Sequence, residues 1–483
     1  MRTGLSAIDL GIVTAYLAGI TLFGLRFRKH QRSLRDYFLA RQEVPWWAIA
    51  LSIVAAETST FTIISIPGLA YDTNLGFLQL VLGYLVARII ISLLFIPRYF
   101  AGDLVTAYQF LEQRFGKELR TLTAGLFLVT RAAAEGVRVF AVSIVLGIAL
   151  GINDIASIGV ITALTLIYTF EGGMAAVIWT DVVQTLLYLG GTAVGFFTIL
   201  HLVPGGWEAI HATAAVTGKL QVFDFAPTIF RTYTFWSGVI GGTFLTCASH
   251  GTDQLMVQRL LAAKNQRQSQ VALLTSGLAI LLQFSLFLLV GTMLFAYYRQ
   301  FPPASAFTRA DHIFPTFIVQ RMPHGIAGLL IAAILAAAMS NLSAALNSLS
   351  ASTVLDLYSK LRPLAAEGER VRVSRLATFL WALVLFALAL LSRRSGHLVE
   401  LGLTIASVAY GAMLGAFLLG MLTQRANQTG TAVGMSFGLA LNCYLWGWTA
   451  VPFTWYVVFG SLMTATLGYI ASVAAARTGE AGR

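Results

Sequence analysis

The sequence predicts an all-α protein that crosses a membrane many times, because it is poor in charge and rich in long apolar runs. Only 11% of its 483 residues are charged and 57% are hydrophobic, whereas an ordinary soluble domain carries about 25% charged residues. Apolar runs recur from end to end, and each can cross about 30 Å of hydrocarbon as a helix. This pattern argues against a soluble enzyme, a nucleic-acid-binding module and a disordered chain.

About thirteen segments have the length and hydropathy of spanning helices. They lie at residues 6–25, 45–71, 75–97, 120–149, 154–170, 174–202, 235–251, 269–298, 325–352, 372–392, 398–421, 429–450 and 454–476. The longest connections, 203–234 and 299–324, hold enough apolar residues for short surface helices. We therefore expect a single transmembrane domain over residues 1–483.

The distribution of Lys and Arg predicts the orientation. With the N-terminus outside, the cytoplasmic connections hold 21 Lys and Arg and the outer ones hold 8. Cytoplasmic loops carry the excess of positive charge in membrane proteins. The pattern predicts an outside N-terminus, an inside C-terminus and insertion in the cytoplasmic (plasma) membrane, although Arg393 and Arg394 lie on the wrong side.

Two groups of five spans, 45–202 and 235–421, have first members of similar character, with 6–25 and 429–476 flanking them. Span 45–71 is interrupted by the hydroxyl-rich run Ala55–Thr60, and span 235–251 contains several glycines. Two interrupted helices at corresponding positions indicate a secondary transporter with an inverted repeat. Close helix packing would also explain glycine and threonine there.

Glu57 lies in the first interruption, where an ionisable group needs a partner or a cavity. It could contact a solute, orient the broken backbone, carry a proton or be a satisfied structural acid. Backbone carbonyls released by a helix break, together with hydroxyl oxygens, suit a hard cation.

Three further groups are candidates for ion or solute contact. Ser340, Ser343 and Asn347 share one helix face, which could replace the hydration shell of a sodium ion. Asp181 could ligate a cation, pair at a gate or anchor a helix end. A separate set follows the spacing i, i+4, i+7 and comprises Arg131, Glu135 and Arg138.

Within that set, an ion pair between Arg131 and Glu135 would leave the guanidinium of Arg138 without a carboxylate partner. A planar guanidinium binds both oxygens of a carboxylate at once. We therefore expect a carboxylated solute and favour Arg138 over Arg131 as its ligand. Cys247 and Cys443 lie in apolar segments and suggest neither a disulfide nor a metal site.

The motifs resemble those of the sodium:solute symporter family. The resemblance rests on Asp36–Arg41, Pro45–Trp47, Ile66–Gly68, Thr106–Tyr108, Leu111–Gly116, Tyr168–Thr169, Glu171–Gly173, Trp179–Gln184, Thr252–Gln254, Gln258–Arg259, Ala336–Ser340, Leu346–Ser348 and Asp356–Tyr358. It implies a leucine-transporter-type fold, a five-plus-five inverted repeat with flanking helices. It also implies sodium-coupled symport, with no cofactor other than the coupling ion and no enzymatic activity.

The resemblance implies site residues as well. The main sodium site would comprise Ala55, Thr58, Ala337, Ser340 and Asn341. A second sodium site would comprise Asp181, Ser340 and Ser343. The solute pocket would include Glu57, Ser59, Thr62, Gln79, Arg138, Phe244 and Tyr410, beside Arg131 and Glu135. Asn341 and Ala344 depart from the family, which has hydroxyl residues at these positions.

The expected partners are a small solute, sodium and the lipid bilayer, with no nucleic acid and no obligatory protein partner. A carboxylated solute is the first expectation, and a sugar or other neutral solute is the second. Proton coupling through Glu57 and a non-transporting sensor or channel-like protein on the same scaffold remain open.

Overall fold

A computed structural model of the chain describes residues 4–25, 43–102, 107–168, 174–303, 305–358, 362, 366–393 and 397–481. The α-helices are α1 Ala7–Leu25, α2 Trp46–Glu57, α3 Thr60–Asp72, α4 Leu78–Ala101, α5 Ala107–Phe115, α6 Lys117–Leu150, α7 Asp154–Tyr168, α8 Met174–Leu202, α9 Gly206–Val216, α10 Gly242–Gly251, α11 Gln254–Leu261, α12 Gln266–Gln300, α13 Ile313–Arg321, α14 Ile326–Ser352, α15 Glu367–Ser392, α16 Leu398–Leu422, α17 Gln428–Trp448 and α18 Tyr456–Ala481. In these ranges the only β pairing is an isolated bridge between Val44 and Ala263.

Within the described ranges, eight helices are long and apolar enough to span a membrane, and the bent pair α2–α3 makes a ninth. Two shorter apolar helices, Ala7–Gly19 and Asp154–Leu166, lie where further spans were predicted. The all-helical class is confirmed, while the count of thirteen stays a prediction. The two long connections contain α9 and α13, as their apolar content indicated.

The first predicted interruption is confirmed. Helices α2 and α3 meet at an angle of 59°, with Thr58 and Ser59 outside both. Ser59 is extended, with φ −78° and ψ 171°. Ser and Thr side chains compete with the helical backbone for hydrogen bonds, and the run Thr58–Thr60 offers three of them in succession.

The second interruption lies elsewhere than expected. The backbone is helical from a π-helical segment, Ser237–Gly241, through α10 to Gly251. The break follows at Thr252 and Asp253, before α11. The glycines of this span instead permit a close crossing with α4, since a Cβ at Gly242 would lie 2.4 Å from the Leu80 carbonyl oxygen. The expectation of a break at Gly238, Gly241 and Gly242 was therefore wrong, whereas Ala248–Gly251, which the sequence also suggested as part of the interruption, lies directly before the observed break.

The broken helix lies at the centre of the bundle. Helix α2 packs against α8 and α12, α3 packs against α12, and α14 packs against α6, α8 and α1. Asp9 fixes α1 to the start of α14, because its Oδ1 accepts hydrogen bonds from the amides of Gly325 (2.7 Å) and Gly328 (3.2 Å). These amides belong to a helix N-terminus, where carboxylates are favourable.

Candidate ion and solute site

The break between α2 and α3 turns two backbone carbonyls out of the helical ladder. In a continuous helix the Ser59 amide would donate to the Ala55 carbonyl, but here it donates to that of Glu57 (3.2 Å). The Thr62 amide donates to the Ser59 carbonyl (2.9 Å) rather than to that of Thr58. The carbonyls of Ala55 and Thr58 are the two that the family resemblance assigned to sodium.

Helix α14 lies beside this break. The Thr60 hydroxyl donates to the Ile334 carbonyl at 3.5 Å, one helical turn before Ala337. Ala337 and Ser343 are buried, and Asn341 is partly exposed. The backbone of Ser340 is helical, but its side chain lies outside the described part of the structure, as does that of Asn347.

Glu57 has the partner that its position required. The Arg88 guanidinium of α4 donates to the Glu57 carboxylate. His250 of α10 approaches the same Oε2 atom with its Nε2 at 3.3 Å. Arg88 is only 1% exposed, and its other nitrogens contact the Ser276 hydroxyl (3.3 Å) and the Tyr84 carbonyl (3.2 Å). The pair therefore joins the broken helix to α4 within the bundle.

Arg88, His250 and Gln283 were not among the predicted site residues. Gln283 of α12 donates to the Thr58 hydroxyl. Among the described residues near the break, Ser59 Oγ and Gln283 Oε1 are buried without a hydrogen-bond partner, and His250 Nε2 has only its 3.3 Å approach to Glu57. The available signal was the rarity of Arg and Gln within apolar spans.

Asp181 belongs to a buried network with two residues that the sequence had not assigned to a site. Its Oδ2 accepts hydrogen bonds from the Ser52 hydroxyl (2.6 Å) and from Arg259 Nη2 (3.0 Å). Arg259 also donates from Nε to Ser52 (2.9 Å). This network, which we call the α11 latch, joins α8, α2 and α11. The ion pair is what the gate-pair alternative for Asp181 requires, whereas a gating role stays a prediction. Arg259 lies between the predicted spans 235–251 and 269–298.

Arg138 is not left over beside an Arg131–Glu135 pair, so that expectation needs correction. Arg131 Nη2 lies 2.9 Å from Glu135 Oε1, and Arg138 binds the same oxygen atom. Both guanidiniums reach it because i+3 and i+4 positions share a helix face. Glu135 is fully buried, while the side chains of Arg131 and Arg138 are 10% and 22% exposed. One carboxylate thus serves two guanidiniums.

The other predicted solute residues occupy different surroundings. Tyr410 donates its hydroxyl to Asp253 Oδ2 (3.1 Å) at the second break, and both residues lie within electrostatic range of Arg131. Ser59 and Thr62 are buried on the α2–α3 side, and Phe244 is partly buried against the core. Gln79 is fully buried and bonds the loop before α10, accepting from the Asp224 amide (3.0 Å).

A helix broken mid-bundle, with carbonyls released beside a second helix and buried charges around it, defines an ion-coupled secondary transporter. The comparisons with known proteins agree. The sodium:solute symporter family model matches residues 37–438. The chain belongs to this family and is a sodium-coupled symporter of the multi-pass membrane type, not an enzyme.

Two curated relatives are bacterial sodium/sialic acid symporters. SiaT of Proteus mirabilis is 32% identical over 481 residues, covering 96% of this chain and 94% of SiaT. NanT of Aliivibrio fischeri is 30% identical, covering 94% and 91%. The human sodium/iodide cotransporter is also 30% identical and covers 94% of this chain and 71% of its own length.

Solved structures give the same fold. A Na⁺-coupled sialic acid symporter in a substrate-bound outward-open state superposes with a TM-score of 0.83 at 30% identity, covering 97% of this chain and 98% of that one. The nucleobase-cation symporter Mhp1 superposes at 0.56 with 12% identity, covering 91% and 94%, which is a likeness of fold alone.

Proposed function

We propose that this protein carries a small carboxylated solute together with sodium by alternating access. The observation that carries the proposal is the break at Thr58 and Ser59, where the carbonyls of Ala55 and Thr58 lose the amides that would bond them in a continuous helix. Sodium coupling follows from the family, whereas the sites and the solute are proposals. We also propose that the N-terminus faces outside and the C-terminus the cytoplasm, at the plasma membrane, from the distribution of Lys and Arg.

The main sodium site would use the carbonyls of Ala55, Thr58 and Ala337 and the side chains of Ser340 and Asn341. Three features support it: the released carbonyls, the Thr60 contact with α14 and the hard-oxygen character of every ligand. Asn341 can supply an amide oxygen in place of a hydroxyl. A bound sodium would join the broken helix to α14 and favour the state in which the two lie together.

A second sodium ion would use Asp181, Ser340 and Ser343. In the α11 latch, Asp181 Oδ2 is bonded to Arg259 and Ser52. An ion bound through that oxygen atom would have to displace the guanidinium, so this second site and the latch would exclude one another.

The solute pocket would lie among Glu57, Ser59, Thr62, Phe244 and the charged face of α6. The relatives that carry sialic acid, a carboxylated sugar, support an anionic solute. Arg138 is the more exposed of the two guanidiniums that share Glu135. We propose it as the carboxylate ligand.

Uptake into proteoliposomes tests the carboxylate assignment. We expect a sodium gradient to accumulate a labelled carboxylated sugar, and Arg138→Lys to lower uptake at low solute concentration about tenfold, because a bidentate contact is lost. The matched control is Arg131→Lys, which we expect to keep the larger share of uptake. Equal uptake by Arg138→Lys and the parent would contradict the assignment.

Ser340→Ala tests the main sodium site. It removes one proposed oxygen ligand, so we expect half-maximal uptake to need roughly tenfold more sodium, while solute affinity at saturating sodium changes little. Ser350→Ala is the control on the same helix, since the Ser350 hydroxyl bonds the Ser374 carbonyl (2.8 Å). An unchanged sodium dependence in Ser340→Ala would argue against the site.

A neutral polar solute is the second candidate. Arg88 neutralises Glu57, and the unbonded Ser59 Oγ and Gln283 Oε1 beside them offer contacts to hydroxyl groups. A thermal-shift screen of carboxylated and neutral sugars, in sodium and in potassium buffer, separates the candidates because a ligand stabilises only the protein that binds it. Sodium-dependent stabilisation by a neutral sugar alone would favour this second candidate.

A further inference from the structure

The loop before α10 exposes apolar side chains and turns its polar groups inward. Along residues 221–229 exposure alternates, with odd-numbered positions exposed and even-numbered ones half-buried, which is the period of an extended chain. The exposed face carries Phe223, Phe225 and Ile229, followed by Phe230. Phe225 and Phe230 are 60% and 62% exposed. We call this set of four residues the loop aromatic face.

Polar contacts hold the opposite face against the protein. The Asp224 amide donates to Gln79 at the start of α4, and the Leu75 amide donates to the Gln221 carbonyl (3.1 Å). The Ala226 amide lowers the pKa of the Asp224 carboxyl, with burial opposing and Arg231 assisting. The charged carboxylate is therefore bound within the loop, and the apolar rings are left on the outside.

The loop aromatic face continues onto an exposed apolar surface of the helix that follows the loop. The Phe235 ring contacts that of Phe225 in a tilted arrangement (5.1 Å between ring centroids) and that of Trp236 edge to face (5.4 Å). Trp236 lies at the start of the span that the sequence predicts over residues 235–251, and Ile240, one turn further, is also exposed. The same loop rests on the turn between α3 and α4, which lies at the boundary of two spanning segments.

We propose that the loop aromatic face lies in the headgroup–acyl boundary of the leaflet on the side where α1 begins. Large exposed apolar patches mark contact with a membrane or a partner, and continuity with the exposed apolar residues Trp236 and Ile240 of a predicted span favours lipid. Aromatic rings concentrate at this depth of a bilayer, and the exposed Arg231 beside them suits lipid phosphate. Gln79 bonds the inner side of the loop. Contact with the bilayer on the outer side would then restrict the movement of the segment that leads into α10.

Depth-dependent fluorescence quenching tests the proposal. In a Cys443→Ser background, where Cys247 is buried, an environment-sensitive fluorophore is attached at Phe225→Cys or Phe230→Cys in proteoliposomes. If the face is buried about 5–10 Å into the boundary, lipids brominated near the top of the acyl chain should quench the fluorophore roughly threefold or more strongly than they quench it at the control position. Aqueous iodide should quench the buried fluorophore only weakly. The control is Ser305→Cys, an exposed polar position on the same side.

Either of two results would overturn the proposal. Iodide quenching at 225 and 230 as strong as at 305 would place the face in water. Quenching by neither agent would mean that protein covers it, such as a second copy of this chain. If either substitution prevents folding, Phe223→Cys samples the same face.

Discussion

At the scale of single residues, the main feature of the bundle centre is the buried carboxylate of Glu57, whose charge Arg88 neutralises. The sequence predicted that Glu57 needs a partner, because an isolated carboxylate in a membrane is costly. It could not identify Arg88, because 31 residues and the rotation of two helices separate them. The contacts among Arg131, Glu135 and Arg138 of α6 were predicted more fully, since helical spacing alone brings the three side chains together. Spacing does not show that both arginines bind one oxygen atom.

Arg88→Met should destabilise the protein strongly. It would leave Glu57 buried beside His250 alone, and breaking a buried pair by removing one partner costs about 3–5 kcal/mol. We expect a lower unfolding temperature in detergent and little uptake. The matched control is Arg88→Met with Glu57→Gln, which removes both charges and should regain most of the stability. A single variant as stable as the parent would mean that the pair contributes little.

At the scale of helices, the first break could be predicted from the sequence more accurately than the second. Three consecutive hydroxyl residues compete with the backbone for hydrogen bonds, so the first break was predictable. Glycines in span 235–251 have two physical meanings, a break or a close helix crossing, and the structure has the crossing. The second break is instead marked by Asp253, whose side chain accepts from the Leu255 amide (2.9 Å) and caps α11.

Arg259→Ala should loosen α11. It removes one charge-assisted bond to Asp181 (3.0 Å) and one bond to Ser52 (2.9 Å), and hydrogen bonds to charged groups contribute about 1.5–3 kcal/mol each. Amide exchange over Gln254–Leu261 should accelerate about tenfold or more. Lys264→Ala, an exposed position just after the helix, is the control. Unchanged exchange in Arg259→Ala would show that the α11 latch does not hold this helix.

At the scale of the whole molecule, composition and apolar runs predicted the all-helical class and the family motifs predicted the symporter. Motifs do not reveal which face of each helix turns inward, which is why the loop aromatic face and the α11 latch emerged only from the structure. Whether sodium or a proton drives transport is also a property of the whole molecule, because an ion gradient acts on the complete transport cycle.

Each sodium ion that enters with the membrane potential gains about 2.3 kcal/mol per 100 mV.

Uptake should follow the sodium gradient and not a pH gradient. The Arg88 guanidinium already occupies the Glu57 carboxylate that the proton alternative requires, while the Ala55 and Thr58 carbonyls, which lack their usual helical partners, are the proposed sodium ligands. In proteoliposomes we expect accumulation with sodium outside and equal pH on both sides, and its collapse when a sodium ionophore is added. Sodium-free vesicles with an acidic exterior should show only equilibration. Accumulation in those vesicles that Glu57→Gln abolishes would instead assign the coupling to a proton, since that substitution removes the titratable group while leaving both carbonyls in place.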